Sequence, residues 1–282
     1  IITPSFRQVG YLRRCAASVA DQEIDHPHEH IVQDGGSGAD FDEWASQQEF
    51  AQIHREPDNG MYDAINKGFL RAKGDILAWL NCDEQYLPGT LAKVTRWFDE
   101  NPAYDIVFGD VVITDSEGHP VAYRKAIKPM RSHIQHCILP TFSAATFVRR
   151  KVIDQGYLLN TDFRAISDQV WIDSLLGGGF QAGVLNEPLS TFALTGTNLG
   201  QSQVPIREGE IWKTSIGANG ILARTFWSLA HRWKKLVAGA YQGKSIEIAI
   251  HMDPQCGRIT RRGSVGGRWI APSNSSDNAG QS

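Results

Sequence analysis

Asp83 and Glu84 close the apolar run Asp75-Ile-Leu-Ala-Trp-Leu80, so hard oxygen ligands stand where a buried strand runs out. Such carboxylates suit Mg²⁺ or Mn²⁺, whose octahedral shell is completed by phosphate oxygens. Upstream, Glu56-Pro-Asp-Asn-Gly-Met-Tyr-Asp-Ala-Ile-Asn-Lys-Gly68 reads as a loop opening into a helix, and Asp34-Gly-Gly-Ser-Gly38 as a loop leaving a strand. Parallel strands bring their carboxyl ends to one edge, where open α/β sheets hold ligands. The loops Thr3 to Arg7, Asp34 to Ser37 and Asn81 to Glu84 should therefore converge. Taken singly, Asp83-Glu84 is as well explained as a helix cap and Asp34-Gly-Gly as a turn. Their order along the chain argues for a phosphate and metal site.

The elements that must position these residues follow from periodicity. Ile1-Ile2, His30-Ile-Val-Gln33, Gln52-Ile-His54, Asp75 to Leu80 and Asp105 to Ile113 read as strands, and Tyr11, Leu12, Cys15 and Val19 recur at helical spacing. Met61, Ile65, Gly68 and Ala72 share one helical face, and Asp63, Asn66 and Lys67 another. Leu91 to Phe98 adds a helix. The alternation predicts an α/β fold with a mostly parallel sheet. Ile166 to Leu176 is predicted helical, and Phe180 to Phe192 a closing strand pair. We expect a nucleotide-binding half over 1–110, an acceptor half over 111–203, and a helical, basic segment over 204–282 with a disordered end at Ser273 to Ser282.

Composition excludes several classes. The chain has 282 residues, 41% hydrophobic and 21% charged, an ordinary globular profile. Its four cysteines lack paired spacing, so neither a disulfide framework nor a zinc cluster is implied. No apolar run reaches the roughly 18 residues of a membrane helix. A reducing, cytoplasmic setting is expected. The net charge of −3 is uneven, because the residues after Gly220 carry nine Lys/Arg against three Asp/Glu. That pattern is not a uniform nucleic-acid surface.

Ile2-Thr-Pro-Ser-Phe6, Asp34-Gly-Gly-Ser37, the 56–68 motif and Trp79-Leu-Asn-Cys-Asp83 together resemble the motif series of glycosyltransferase family 2, in its branch of bacterial surface-polysaccharide enzymes. The resemblance implies a GT-A fold, a nucleotide-sugar donor (often a UDP-sugar), a divalent cation and inversion at the anomeric carbon. It implies that Thr3, Pro4, Ser5 and Asp34 hold base and ribose. Asp63, Asn66 and Lys67 would border the diphosphate, with Asn81 and Cys82 beside the donor and Asp83 on Mg²⁺ or Mn²⁺. The first acid of the metal motif is Asn81 here, Glu84 stands where Asp is more usual, and Arg7 replaces a common Asn or Asp. Gln-x-x-Arg-Trp, the mark of processive synthases, is absent, which favours single-sugar transfer.

Inverting transfer needs one base for the acceptor proton. Asp168, in Ala165-Ile-Ser-Asp-Gln-Val-Trp171, resembles the family's base, and a helix N-terminus favours its ionised form. A plain N-cap is the alternative. The acceptor expected is a hydroxyl of a glycan or a lipid-linked molecule. Rival readings are a nucleotidyltransferase on a related sheet, which needs a second strong metal acid, and a binding module that has lost catalysis. His26-x-His28-x-His30 reads as a surface cluster, His133 and His136-Cys137 as cleft or packing residues, and Arg149-Arg150 as anion contacts or a solvated turn. Residues 221–240 interleave Trp, Phe and Leu with Arg and Lys, as does a helix lying in a membrane interface or one packed on the body with a basic outer face.

Overall fold

The alternation begins as anticipated in the computed structural model, which describes residues 1–196 and 198–266. β1 (Ile2–Ser5), α1 (Val9–Ala20), β2 (His30–Asp34), α2 (Ala39–Ser46), β3 (Ala51–Arg55) and α3 (Met61–Arg71) come first. β1 pairs parallel with β2, and β2 with β3. Beyond β4 (Ile76–Leu77), Trp79 bridges in parallel to Ile2, so the chain leading to Asp83 continues that sheet. Three loops thus leave the same edge.

The chain continues through β5 (Glu84–Tyr86), α4 (Thr90–Glu100), β6 (Ile106–Thr114), β7 (Pro120–Arg124) and α5 (Arg131–His136). β8 (Thr146–Arg149), α6 (Lys151–Asp154), α7 (Ser167–Gly177) and β9 (Ala182–Ala193) follow. These strands order as β4-β8-β6-β9-β5, with β7 on β6. Within that order only β6–β9 is parallel. The α/β class holds, with a parallel first half and a mixed second half. β6 runs through residue 110 without interruption. Phe180 to Phe192, expected as a strand pair, is mainly the single strand β9.

Packing locks the two halves together. Phe69 on α3, Trp79 beyond β4 and Trp171 on α7 meet with ring centroids 5.6–6.0 Å apart. Such aromatic pairs contribute about 0.5–1.5 kcal/mol each beyond area burial. The trio sets the head of α7, which carries Asp168, relative to the strand end that carries Asp83. α3 approaches β1 closely because residue 68 is glycine: a Cβ there would stand 2.5 Å from Ile2.

The C-terminal segment corrects the expectation of a helical 204–282. α8 (Val204–Ser215) and α9 (Ile221–Val237) are helices, but β10 (Lys244–His251) and β11 (Arg258–Val265) form an antiparallel hairpin. The reason is a period of two: Ile246, Ile248 and Ile250 alternate with the smaller or polar Ser245, Glu247 and Ala249 and pack with Val265 against Leu87, Val112 and Tyr123. Ser273 to Ser282 lie outside the described residues. His30 is another correction: it is buried in β2 and bonded to Thr3, with no place in a surface cluster.

Arg258 fastens the hairpin. Its guanidinium donates to Asp21 at 2.6 and 2.7 Å and to the carbonyl oxygens of Tyr86 and Ala249, while His251 reaches the same carboxylate at 2.8 Å. We predict that Arg258→Ala costs roughly 2 kcal/mol, since it leaves several half-buried acceptors unpaired. Chemical denaturation measures the loss, and hydrogen exchange should show early opening of 244–265.

Candidate active site

The converging loops line a cavity of about 850 Å³. Pro4, Ser5 and Phe6 reach it from the end of β1, Gly35 from the end of β2, and Asp58, Gly60 and Tyr62 from the start of α3. Asn81, Cys82, Asp83 and Glu84 form another wall, and Arg164, Ala165, Ile166, Asp168 and Gln169 face it from the head of α7. Gly35 is tight against Asp58: a Cβ there would stand 2.5 Å from Asp58 Oδ2, so Asp58 would have to move. Arg7 adopts the left-handed conformation (φ 55°). Asn and Asp tolerate that region better, which accounts physically for an Arg here being unusual. Its backbone N–H donates to Ser37 Oγ at 2.8 Å, joining the first two loops.

Asp83 is held by Asn198, whose Nδ2 donates to its Oδ2 at 2.7 Å. Burial raises the Asp83 carboxyl pKa. Glu84, on the same wall, accepts from Asn81 N at 2.7 Å and Asn81 Nδ2 at 3.2 Å. Burial, reinforced by the charge of Asp83, pushes the Glu84 carboxyl up as well. Asn81 Oδ1 is buried with no hydrogen-bond partner. One carboxylate plus that orphaned amide oxygen fits a Mg²⁺-type cation, which takes few protein ligands and completes its shell with phosphate and water. Among the described residues no group of three or more His, Cys, Asp or Glu is placed to hold a metal, so a dedicated all-protein cage is not formed there.

Asp168 stands in the first turn of α7. Tyr62 OH donates to its Oδ1 at 3.4 Å, and the Gln169 N–H at 2.8 Å. Burial pushes its pKa up to about 6, against the lowering effect of those two donors. A carboxyl raised in this way is a stronger base than an exposed one, which suits a general base.

Other expected residues are used elsewhere. Thr3 is fully buried and bonds His30 at 2.8 Å, so its side chain leaves the cavity to Pro4 and Ser5. Asp34 accepts from Gly36 N and Ser37 N, both at 2.9 Å, and from Ser37 Oγ, which makes it the closure of its own loop. The polar face of α3 is likewise consumed internally. Asn66 exchanges both amide hydrogen bonds with Leu159, Asp63 accepts from Asn59 N, and Lys67 donates to Pro57 O while pairing with Asp63 at 3.1 Å. Asp63 and Lys67 shape the 57–60 loop and Asn66 holds Leu159; none of the three lines the cavity. Cys82 does line it, but its thiol donates to Pro4 O at 3.2 Å and burial pushes its pKa well up, so it is no nucleophile. Arg149 and Arg150 donate to backbone carbonyls of Phe98, Tyr104, Ala72 and Gly74 rather than to an anion. His133 stacks on His231, 4.2 Å between centroids, away from the cavity.

Sequence reasoning missed Tyr62, Asn198 and Arg124. Tyr62 lies inside the quoted Gly-Met-Tyr-Asp run, one residue before Asp63, and its period could have placed it. Asn198 lies 115 positions from its partner, and no local pattern points to it.

Comparison with known proteins agrees with this geometry. Residues 1–157 match the model of the family described as glycosyl transferase family 2. A "PGL/p-HBAD biosynthesis glycosyltransferase" of Mycobacterium bovis is 34% identical over 119 residues, which covers 40% of this chain and 46% of that protein. The chain spans less than half the length of the curated relatives it matches. S. aureus TarS 1–349 in complex with UDP-GlcNAc superposes with a TM-score of 0.57 at 16% identity, covering 71% of this chain and 60% of that one. The mannosyltransferase PcManGT from Pyrobaculum calidifontis, in complex with GDP-Man and Mn²⁺, gives 0.55 at 17% identity over 85% and 72%. At these identities the structural likeness establishes the GT-A fold.

A stability measurement checks the buried carboxyl. The folded pKa of Asp168 lies above its ordinary 3.8, so folding favours the protonated form. That contribution is complete near pH 4 and lost as pH rises through 6. Asp168→Asn cannot ionise and should gain roughly 2 kcal/mol on the wild type between pH 4 and pH 7.5. Urea titrations of both proteins at the two pH values measure it. A difference independent of pH would contradict a raised carboxyl.

Proposed function

The chain belongs to glycosyltransferase family 2, and we propose that it moves a single sugar from a nucleotide-sugar donor, a UDP-sugar, to an acceptor hydroxyl with inversion. The observation that carries this reading is the placement of Asp83 and Asp168 on facing walls of one cavity. The nucleotide enters over Pro4, Ser5 and Gly35, and its diphosphate lies toward Asn81 and Asp83. The likeness to proteins bound to UDP-GlcNAc or GDP-Man supports a donor of this class.

Asp168 takes the proton of the acceptor hydroxyl as its oxygen attacks the anomeric carbon. The new carbon–oxygen bond forms on the face opposite the breaking one, whose electron pair leaves with the nucleoside diphosphate. Tyr62 orients the base through its hydroxyl. Asn198 holds Asp83 so that its second oxygen faces the donor. Asp83 and Asn81 Oδ1 would hold Mg²⁺ or Mn²⁺, which neutralises charge on the departing diphosphate.

Division of labour follows the chain: 1–110 binds the donor, and 111–203 brings the acceptor to Asp168. The acceptor is a glycan or lipid-linked hydroxyl of cell-surface polysaccharide assembly, reached from the cytoplasmic side. No helix of the described residues is long and apolar enough to cross a membrane. Peripheral contact through α9 is proposed instead, since Leu222, Phe226, Leu229 and Trp233 are all exposed on it beside basic residues.

The test is kinetic. Asp168→Asn should keep donor affinity and lose about three orders of magnitude in transfer, in line with removal of a general base. The wild-type kcat/KM should rise with pH through about 6, where Asp168 ionises, and level off above. Donor binding without transfer in the wild type, over a panel of acceptors, would favour a binding module. Retained transfer in the variant would remove Asp168 from the chemistry.

A further inference from the structure

α7 carries Asp168, but the approach to that helix is held from another one. The N-cap residue of α7 is Ile166, whose side chain offers no acceptor. Glu208, one turn into α8, supplies what Ile166 lacks. It accepts from the Arg164 N–H through Oε1 at 2.7 Å and from the Ala165 N–H through Oε2 at 2.9 Å. Both oxygens are thus committed to the two residues just before the helix. Hydrogen bonds to an ionised carboxylate are roughly twice as strong as neutral ones. A negative charge beside a helix N-terminus is also favoured by the helix dipole.

α8 is itself anchored. Trp212, four residues after Glu208 and so on the same helical face, is buried in the core cluster that holds Ile166 and Trp171. The chain leading into α8 lines the cavity at Asn198, Leu199, Gly200 and Pro205, and Asn198 holds Asp83. The run from Asn198 to Trp212 therefore grips both walls, one through Asn198 and the other through Glu208. Glu208 does not line the cavity, so it can act only through the residues that it holds. Burial raises the pKa of the Tyr62 phenol, and the charges of Asp168 and Glu208 add to that effect. The phenol that donates to the base thus senses Glu208 as well.

We propose that Glu208 is a positioning residue for the transfer step: by holding the Arg164 and Ala165 backbone it fixes the head of α7, and with it Asp168, against the donor wall. The inference rests on the reading of Asp168 as the base.

Carbon-13 NMR of the side-chain carboxyls of the full chain tests it, with the Asp168 signal identified as the one that Asp168→Asn removes. In the wild type that carboxyl should titrate at about 6. Glu208→Ala should lower the midpoint by about one unit, because a loosened helix head admits water to Asp168. The Arg164 and Ala165 amides should then exchange faster. Glu208→Gln, which keeps one acceptor oxygen, should restore most of the midpoint. Arg258→Ala, which weakens the β10–β11 hairpin, should leave it in place, and UDP affinity with Mn²⁺ should hold in all three. An unmoved midpoint in Glu208→Ala would overturn the proposal. So would an equal fall in Glu208→Gln, which assigns the effect to lost charge, or in Arg258→Ala, which assigns it to lost stability. In transfer, Glu208→Ala should lower kcat about tenfold at unchanged donor KM and add nothing in the Asp168→Asn background. A loss that adds to that of Asp168→Asn would contradict action through the base. The reading of Asp168 as base fails on separate grounds, namely full transfer by Asp168→Asn.

Discussion

Three carboxyl groups are withdrawn from water around one cavity, and most of the local architecture answers that constraint. Asp83, Glu84 and Asp168 all have pKa values raised by burial, and none is paired with a Lys or Arg in the structure as described. Neutral donors hold them instead: Asn198 for Asp83, Asn81 for Glu84, and Tyr62 with the Gln169 N–H for Asp168. Neutral donors satisfy lone pairs without cancelling the charge of Asp83 and Asp168 when ionised, so the site keeps an unspent electrostatic demand. A bound cation at one wall and a hydroxyl proton at the other would meet it. A site tied up by internal ion pairs would have no such demand.

The rest of the fold holds these walls at a fixed separation. Parallel pairing of β1 with β2 and of Ile2 with Trp79 delivers the loops to one edge. The Phe69, Trp79 and Trp171 contacts then fix the head of α7 against that edge. Rigidity matters here because a displacement of about 1 Å between base and donor can cost a hundredfold in rate.

Much of the parallel half was legible because its signals are local. Short apolar runs ending in Asp34-Gly-Gly or Asn81-Cys-Asp83 mark strands and their exits, and Ile65, Gly68 and Ala72 mark the buried face of α3. The polar face of α3 was legible as polar but not as to its partner. Asp63, Asn66 and Lys67 have the residue types that border a diphosphate, yet each is spent on the 57–60 loop or on Leu159. Residue type reports hydrogen-bonding capacity; only tertiary structure says what fills it. Asp34 shows the same limit, since its carboxylate closes its own turn.

Long-range features were hidden for a different reason. Asn198 on Asp83, Arg258 on Asp21 and Arg124 on the cavity wall all depend on strands that cross the sheet out of chain order. The β10–β11 hairpin was masked by the strong helical signal of 221–237 just before it, although Ile246, Ile248 and Ile250 alternate as strand residues do. The basic tail is thus two structures, a helix with an exposed apolar face and a hairpin docked on the sheet.

The most direct measurement of the central claim is calorimetric titration of UDP into the wild type and Asp83→Asn, each with and without Mn²⁺. If Asp83 and Asn81 form the donor's diphosphate end, Mn²⁺ should tighten UDP binding to the wild type and leave the variant's affinity unchanged. Equal tightening by Mn²⁺ in both proteins would contradict the account and move the diphosphate away from this wall.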